Sequence, residues 1–246
     1  MADYSTIRTA GAGAQAANID AGLRAHMNKV YGLMSVGMLV TGGVAWSVGT
    51  TDVLLSLLRN PDTGSMSILG WVVMFAPLIM VFALGSVMKR LSVAGAQLYF
   101  YAFAAVMGLS LAWIFQVFTG VSIAQTFLIT SIAFAGLSLY GYVTKKDLSA
   151  MGTFLIMGLI GLIVAMVVNI FLASSALSFA ISVIGILIFA GLTAYDTQSI
   201  KNEYLQHAMA ADEQWLGKSA IMGALRLYLD FINMFMFLLQ FMGNRE

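Results

Sequence analysis

The chain has 246 residues, 60% of them hydrophobic and 9% charged, with a formal net charge of +1 and a mean hydropathy of +0.90. A soluble domain carries roughly a quarter charged residues, so the composition excludes a soluble globular protein, and the near-zero net charge argues against a nucleic-acid partner. The absence of cysteine excludes disulfides, covalent haem attachment and thiolate metal sites.

The first residues, "MADYSTIRTAGAGAQAANIDAGLRAH", contain small residues but no apolar core ahead of them. They predict a polar tail over 1–26 rather than a cleaved signal peptide. Seven apolar segments follow, at about 27–48, 67–88, 96–118, 122–143, 150–172, 176–196 and 219–243. Each reaches the length of about twenty residues that crosses about 30 Å of hydrocarbon. Each is expected to be an α-helix, because a backbone group left unpaired in lipid costs several kcal/mol. Residues 27–246 therefore predict one all-α, seven-helix integral membrane domain. The connection after the first segment is long, and Asp52–Leu58 is expected at the membrane interface. The connection over 197–218 is amphipathic and is expected to continue the sixth helix beyond the membrane.

Lysines and arginines fall mainly on one side. Arg8, Arg24 and Lys29 precede the first segment, Lys89 and Arg90 follow the second, and Lys145 and Lys146 follow the fourth. Lys201 and Lys218 lie between the sixth and seventh, whereas the other side holds Arg59 and Arg245. Positive residues stay in the cytoplasm, so the N-terminus is expected inside and the C-terminus outside.

Most other features have packing explanations. Gly158, Gly161 and the small residues of "FAGLTA" (189–194) suit close helix contact. Pro77 suits a kink in the second helix. His26 and His207 lie in polar stretches and are expected at the surface. No nucleophile–base pair or cofactor motif emerges, so the chain is not expected to be an enzyme or to hold a resident cofactor. The few polar residues of the third and fourth segments, such as Gln125, Thr126, Thr130 and Ser131, make a sparse pore lining and suit a closed resting state.

Two acids stand apart. "LYLDFINMF" (227–235) sets Asp230 and, one turn later, Asn233 among apolar residues, and "LTAYDTQ" (192–198) sets Asp196 beside Tyr195. An Asp near a helix centre costs about 2.5–3.5 kcal/mol on insertion scales, which drives it toward the protein interior or a wet cavity. Asp196 also fits a solvated helix end, and Asp230 also fits an ion pair with Arg226 four residues earlier. Depth favours a shared site. Lys201 follows Asp196 by five residues and Arg226 precedes Asp230 by four, about 7 Å and about 6 Å of helix. With both bases snorkelling to the same headgroups, the acids come level on antiparallel helices. Two carboxylates in contact share a proton and titrate as a unit, a latch between the sixth and seventh helices. Lys89, Arg90 or Arg226 is the expected counter-charge, and the carboxylate oxygens are a candidate contact for a hard cation such as Ca²⁺.

At these residues the chain resembles a known family. "GLTAYDTQSIK" (191–201), "LYLDFINMFMFLLQFMG" (227–243) and the turn "KKDLSAMGTFL" (145–155) closely resemble motifs of the Bax inhibitor-1 family, also called the transmembrane Bax inhibitor motif or Lifeguard family. The resemblance covers most of the chain, and its compact loops look like those of the bacterial branch. It implies a seven-helix, pH-gated calcium leak channel of the cytoplasmic membrane, with Asp196 and Asp230 as the di-aspartyl sensor. It also implies a basic latch at the end of the second helix, where "VMKR" places Lys89 with Arg90 adjacent. Tyr195 and Asn233 would be supporting polar groups. The expected partners are the bilayer, protons and Ca²⁺. Two other functions fit the same residues. One is a non-conducting regulator that binds another membrane protein, such as a protease or a death-pathway partner; the other is a proton-coupled transporter.

Overall fold

The computed structural model describes residues 3–60, 65–207 and 212–245. Among them lie eight α-helices: α1 (Asp3–Gly49), α2 (Asp52–Leu58), α3 (Ile68–Arg90), α4 (Val93–Leu111), α5 (Gly120–Val143), α6 (Ser149–Leu172), α7 (Ser175–His207) and α8 (Glu213–Met242). A 3-10 turn, Ala112–Gln116, extends α4. All but α2 are long and apolar enough to span a membrane, so the all-α, seven-span architecture read from hydropathy stands. Helix starts carry the expected caps: Ser67, Ser92, Thr119 and Asp212 each accept the amide of the residue three positions on.

The spans alternate in direction, so Lys89, Arg90, Lys145, Lys146, Lys201 and Lys218 share one end with the start of α1. This is called the basic end below. Trp46, Trp71 and Trp113 are exposed toward the opposite end, where indole rings suit a headgroup layer.

α8 is the hub, packed against α7, α1, α5 and α4. Its Leu227, Tyr228, Met234 and Leu239 are at most 1% exposed. α6 lies at the periphery on α7. Close approach is built with glycine at the α5–α7 crossing, where a β-carbon on Gly141 would collide with the carbonyl oxygen of Ala194. The C-terminus is tied back: the Asn244 amide donates to Ser122 Oγ at 2.8 Å, and the Thr119 amide to the Asn244 carbonyl at 3.1 Å.

Three expectations change at the basic end. The boundary at residue 26 falls inside one continuous helix, Asp3–Gly49, and residues 1–2 of the expected tail lie outside the described residues. His26 is buried rather than at the surface, its ring 5.0 Å from that of Tyr204 on α7. The stretch reads as a polar tail by composition, but Leu23 and His26 at its end are buried together with Met27 and Val30. As predicted, α7 continues beyond the apolar run to His207, which is exposed and stacks on Trp215 at 4.6 Å. The rest of that connection, 208–211, lies outside the described residues. Gly158 packs on Ile188, whereas Gly161 has no neighbour that a β-carbon would meet.

Candidate functional site: two carboxylates between α7 and α8

α7 and α8 form the most extensive helix pair of the bundle, and the two acids lie on their shared face. Asp230 is buried, with 4% of its surface exposed, and Asp196 is half-buried. Their carboxyl groups come within hydrogen-bonding reach of each other. No N–H or O–H donor among the described residues reaches Asp230 Oδ2, which is fully buried. A buried acceptor without a donor is costly. A proton held between the two carboxyl groups satisfies it, whichever of them carries it.

One to two turns nearer the basic end, Arg226 Nη1 stands 3.6 Å from Glu203 Oε2, a pair whose side chains are 40% and 41% exposed. Arg226 also acts electrostatically on both acids. Arg226 is therefore the cation next to the site, but its ion-pair partner is Glu203 rather than Asp230. Lys89 and Arg90 are exposed at the end of α3, a helix that packs mainly on α4 and α2. The structure does not bring them to the acids.

The supporting groups also lie elsewhere. The Tyr195 ring covers Gly152 of α6, and Asn233 Nδ2 donates to the Leu229 carbonyl of its own helix at 2.8 Å. Neither hydrogen-bonds the acids. Thr130 and Ser131 likewise donate to carbonyls of their own helix. No cluster of three or more His, Cys, Asp or Glu side chains is present among the described residues. A resident Ca²⁺ takes six to eight oxygens, so the two carboxylates do not compose a complete site.

Sequence reasoning missed the hydroxyl network that holds the two helices. Thr197, next to Asp196, hydrogen-bonds Ser138 of α5 at 2.9 Å, and Ser138 meets the Tyr31 hydroxyl of α1 at 2.6 Å. Tyr228, two residues before Asp230, meets Thr41 of α1 at 2.6 Å between the rings of Phe100 and Phe103. Both acids are thus flanked by residues pinned to α1. Gln198 adds a clamp on the turn between α5 and α6: Nε2 donates to the Lys146 carbonyl and Oε1 accepts the Leu148 amide, each at 2.8 Å. In that turn the hydroxyl and amide of Ser149 hold the exposed Asp147 carboxyl below its ordinary pKa. The available signal was adjacency, since Tyr228, Thr197 and Gln198 all lie within the quoted acid motifs.

Residues 23–246 match the family model described as inhibitor of apoptosis-promoting Bax1. The inner membrane protein YbhL of Escherichia coli is 44% identical over 226 residues, covering 92% of this chain and 94% of its own. An uncharacterized Rickettsia prowazekii protein is 44% identical over 227 residues, covering 92% of both chains. A Caulobacter vibrioides protein is 43% identical over 233 residues, covering 93% of this chain and 92% of its own.

Proposed function

The chain belongs to the Bax inhibitor family of multi-pass membrane proteins, and on that premise we propose that it is a pH-sensitive leak channel for Ca²⁺ or a similar hard cation. The observation that carries the reading is the buried Asp196–Asp230 contact with an oxygen that only a shared proton can satisfy. The distribution of Lys and Arg puts the basic end in the cytoplasm.

In the closed form one proton bridges the two carboxyl groups and joins α7 to α8. Loss of that proton leaves two anions in contact at low dielectric, a repulsion of several kcal/mol. Arg226 offsets part of it from its place above the pair. The repulsion separates α7 from α8 and opens a route lined by the same carboxylate oxygens. A pair of carboxylates suits a passing divalent cation better than a stored one, because binding in a conduction path must be weak enough to release.

The test is Ca²⁺ uptake into proteoliposomes from pH 5 to 8, for the wild type, Asp196→Asn and Asp230→Asn. A flux that varies with pH in the wild type and flattens in both variants is expected. Flux no greater than in empty liposomes at every pH, from protein shown to be folded, overturns the channel and favours a non-conducting regulator. Flux that saturates with a substrate and moves protons in fixed ratio would identify a transporter instead.

A further inference from the structure

A groove of about 1340 Å³ runs along the outside of the bundle between α1 and α5. α8 supplies its floor with Phe231, Ile232 and Phe235. On α1 the lining extends from Arg24 to Ala45, about 30 Å of helix and the thickness of a bilayer core. The walls are overwhelmingly apolar. Phe127 packs 5.4 Å from Phe231 and 6.2 Å from Phe235, and Phe134 packs 5.5 Å from Phe231. Phe231, the neighbour of Asp230 on α8, belongs to this aromatic layer.

An apolar cavity stays dry, and this one opens sideways at hydrocarbon depth, so its filler comes from the membrane. Size discriminates among fillers. A volume of 1340 Å³ over about 30 Å gives a mean cross-section of about 45 Å². A transmembrane helix is about 10 Å across, or about 80 Å², and would leave part of its girth outside the groove. A hydrocarbon chain whose carbons keep about 4 Å from their neighbours takes about 15–20 Å², so two chains fit.

Polarity discriminates further. The ionisable and amide groups of the lining, Arg24 and Asn28, both lie at the basic end. Arg24 is exposed and has no ion-pair partner among the described residues. At the same end Tyr142 closes the α5 wall, three residues before Lys145 and Lys146. We propose that the α1–α5 groove binds one anionic glycerophospholipid, with both acyl chains along the walls and its phosphate at Arg24. The cationic mouth complements a negative headgroup, and each basic residue near a membrane surface contributes about 1 kcal/mol toward anionic lipid.

The test uses the full chain in mild detergent, titrated with phosphatidylglycerol or phosphatidylethanolamine and read by native mass spectrometry. The wild type is expected to hold one phosphatidylglycerol, with a preference of at least about five-fold over phosphatidylethanolamine. Gly42→Leu/Gly43→Leu fills the groove from α1. A β-carbon at either position meets nothing within 4 Å, and leucine is a better helix former than glycine. This variant should therefore unfold no earlier than the wild type, yet lose the bound lipid. Arg24→Gln should retain a lipid and lose the roughly five-fold headgroup preference. Lipid retained by the filled variant, no bound lipid in the wild type, or equal retention of the two headgroups by the wild type would each overturn the proposal. So would a wild-type dimer that the filling leucines dissociate, since the groove would then seat a second copy of the chain.

Discussion

α6 and α8 assign hydrophobicity and burial in opposite senses. α6 has the highest mean hydropathy of the seven spans, and only 11% of its apolar stretch is buried within the protein. α8 carries Arg226, Asp230 and Asn233, has one of the lowest, and is 67% buried. In water the ranking would be reversed. In lipid the surroundings are as apolar as leucine, so hydropathy does not draw a helix inward. The interior goes instead to the helix whose polar groups need partners and whose glycines allow close contact: Gly217 and Gly223 on α8 receive Val93 and Ile200, and Tyr228 finds Thr41.

The contrast can be broken by mutation. Tyr228→Ala should have the largest effect. The transfer term cancels when unfolded helices also remain in lipid, but removal of roughly 100 Å³ at about 24 cal/mol per Å³ costs about 2–3 kcal/mol. Reversible unfolding in mixed micelles would measure it. A change below about 0.5 kcal/mol would remove α8 from the centre of the fold. Tyr228→Phe keeps the ring between Phe100 and Phe103 and removes only the hydroxyl bonded to Thr41. Its expected cost is about 0.6–1.7 kcal/mol, the range for hydrogen bonds between membrane helices.

Arg226→Gln sharpens the comparison in another way. Its pair with Glu203 is about 40% exposed, so loss of the pair should cost at most about 1 kcal/mol of stability. Removing the cation next to Asp196 and Asp230 should still move the Ca²⁺ flux profile toward alkaline pH, because ionisation of the pair then lacks its counter-charge. An unmoved profile would show that Arg226 serves only the surface pair. Smallest of all, Phe171→Ala on α6, where the ring is 84% exposed, should change unfolding by less than about 0.5 kcal/mol. A larger loss would show that this face of α6 is covered by another protein in the membrane.

Legibility followed the same division. The two acids could be read because each is an exception in an apolar run, and four- and five-residue spacings from Arg226 and Lys201 placed them at a common depth. Arg226 was legible for the same reason. Lys89 and Arg90 were expected at the latch because depth was used as a proxy for proximity, whereas α3 packs mainly on α4 and α2. Tyr195 and Asn233 share the motifs but point to Gly152 and to the Leu229 carbonyl. One position along a helix turns a side chain by 100°. Glu203 and the Tyr31–Ser138–Thr197 chain had no signal in composition, being ordinary polar residues that matter only through partners more than twenty positions away.

The sequence by itself determined how many times the chain crosses, in which order, and how deep each charged group lies. Hydrocarbon length and backbone hydrogen bonding leave a run of about twenty apolar residues only one conformation, and a rise of 1.5 Å per residue converts position into depth. The tertiary structure decided what lies beside what: the Asp196–Asp230 contact, the Arg226–Glu203 pair above it, and the groove between α1 and α5. Lipid and neighbouring helices are nearly equivalent to an apolar side chain, so rotation and neighbour choice are set by glycine contacts and hydroxyl pairs that exist only once the helices have met.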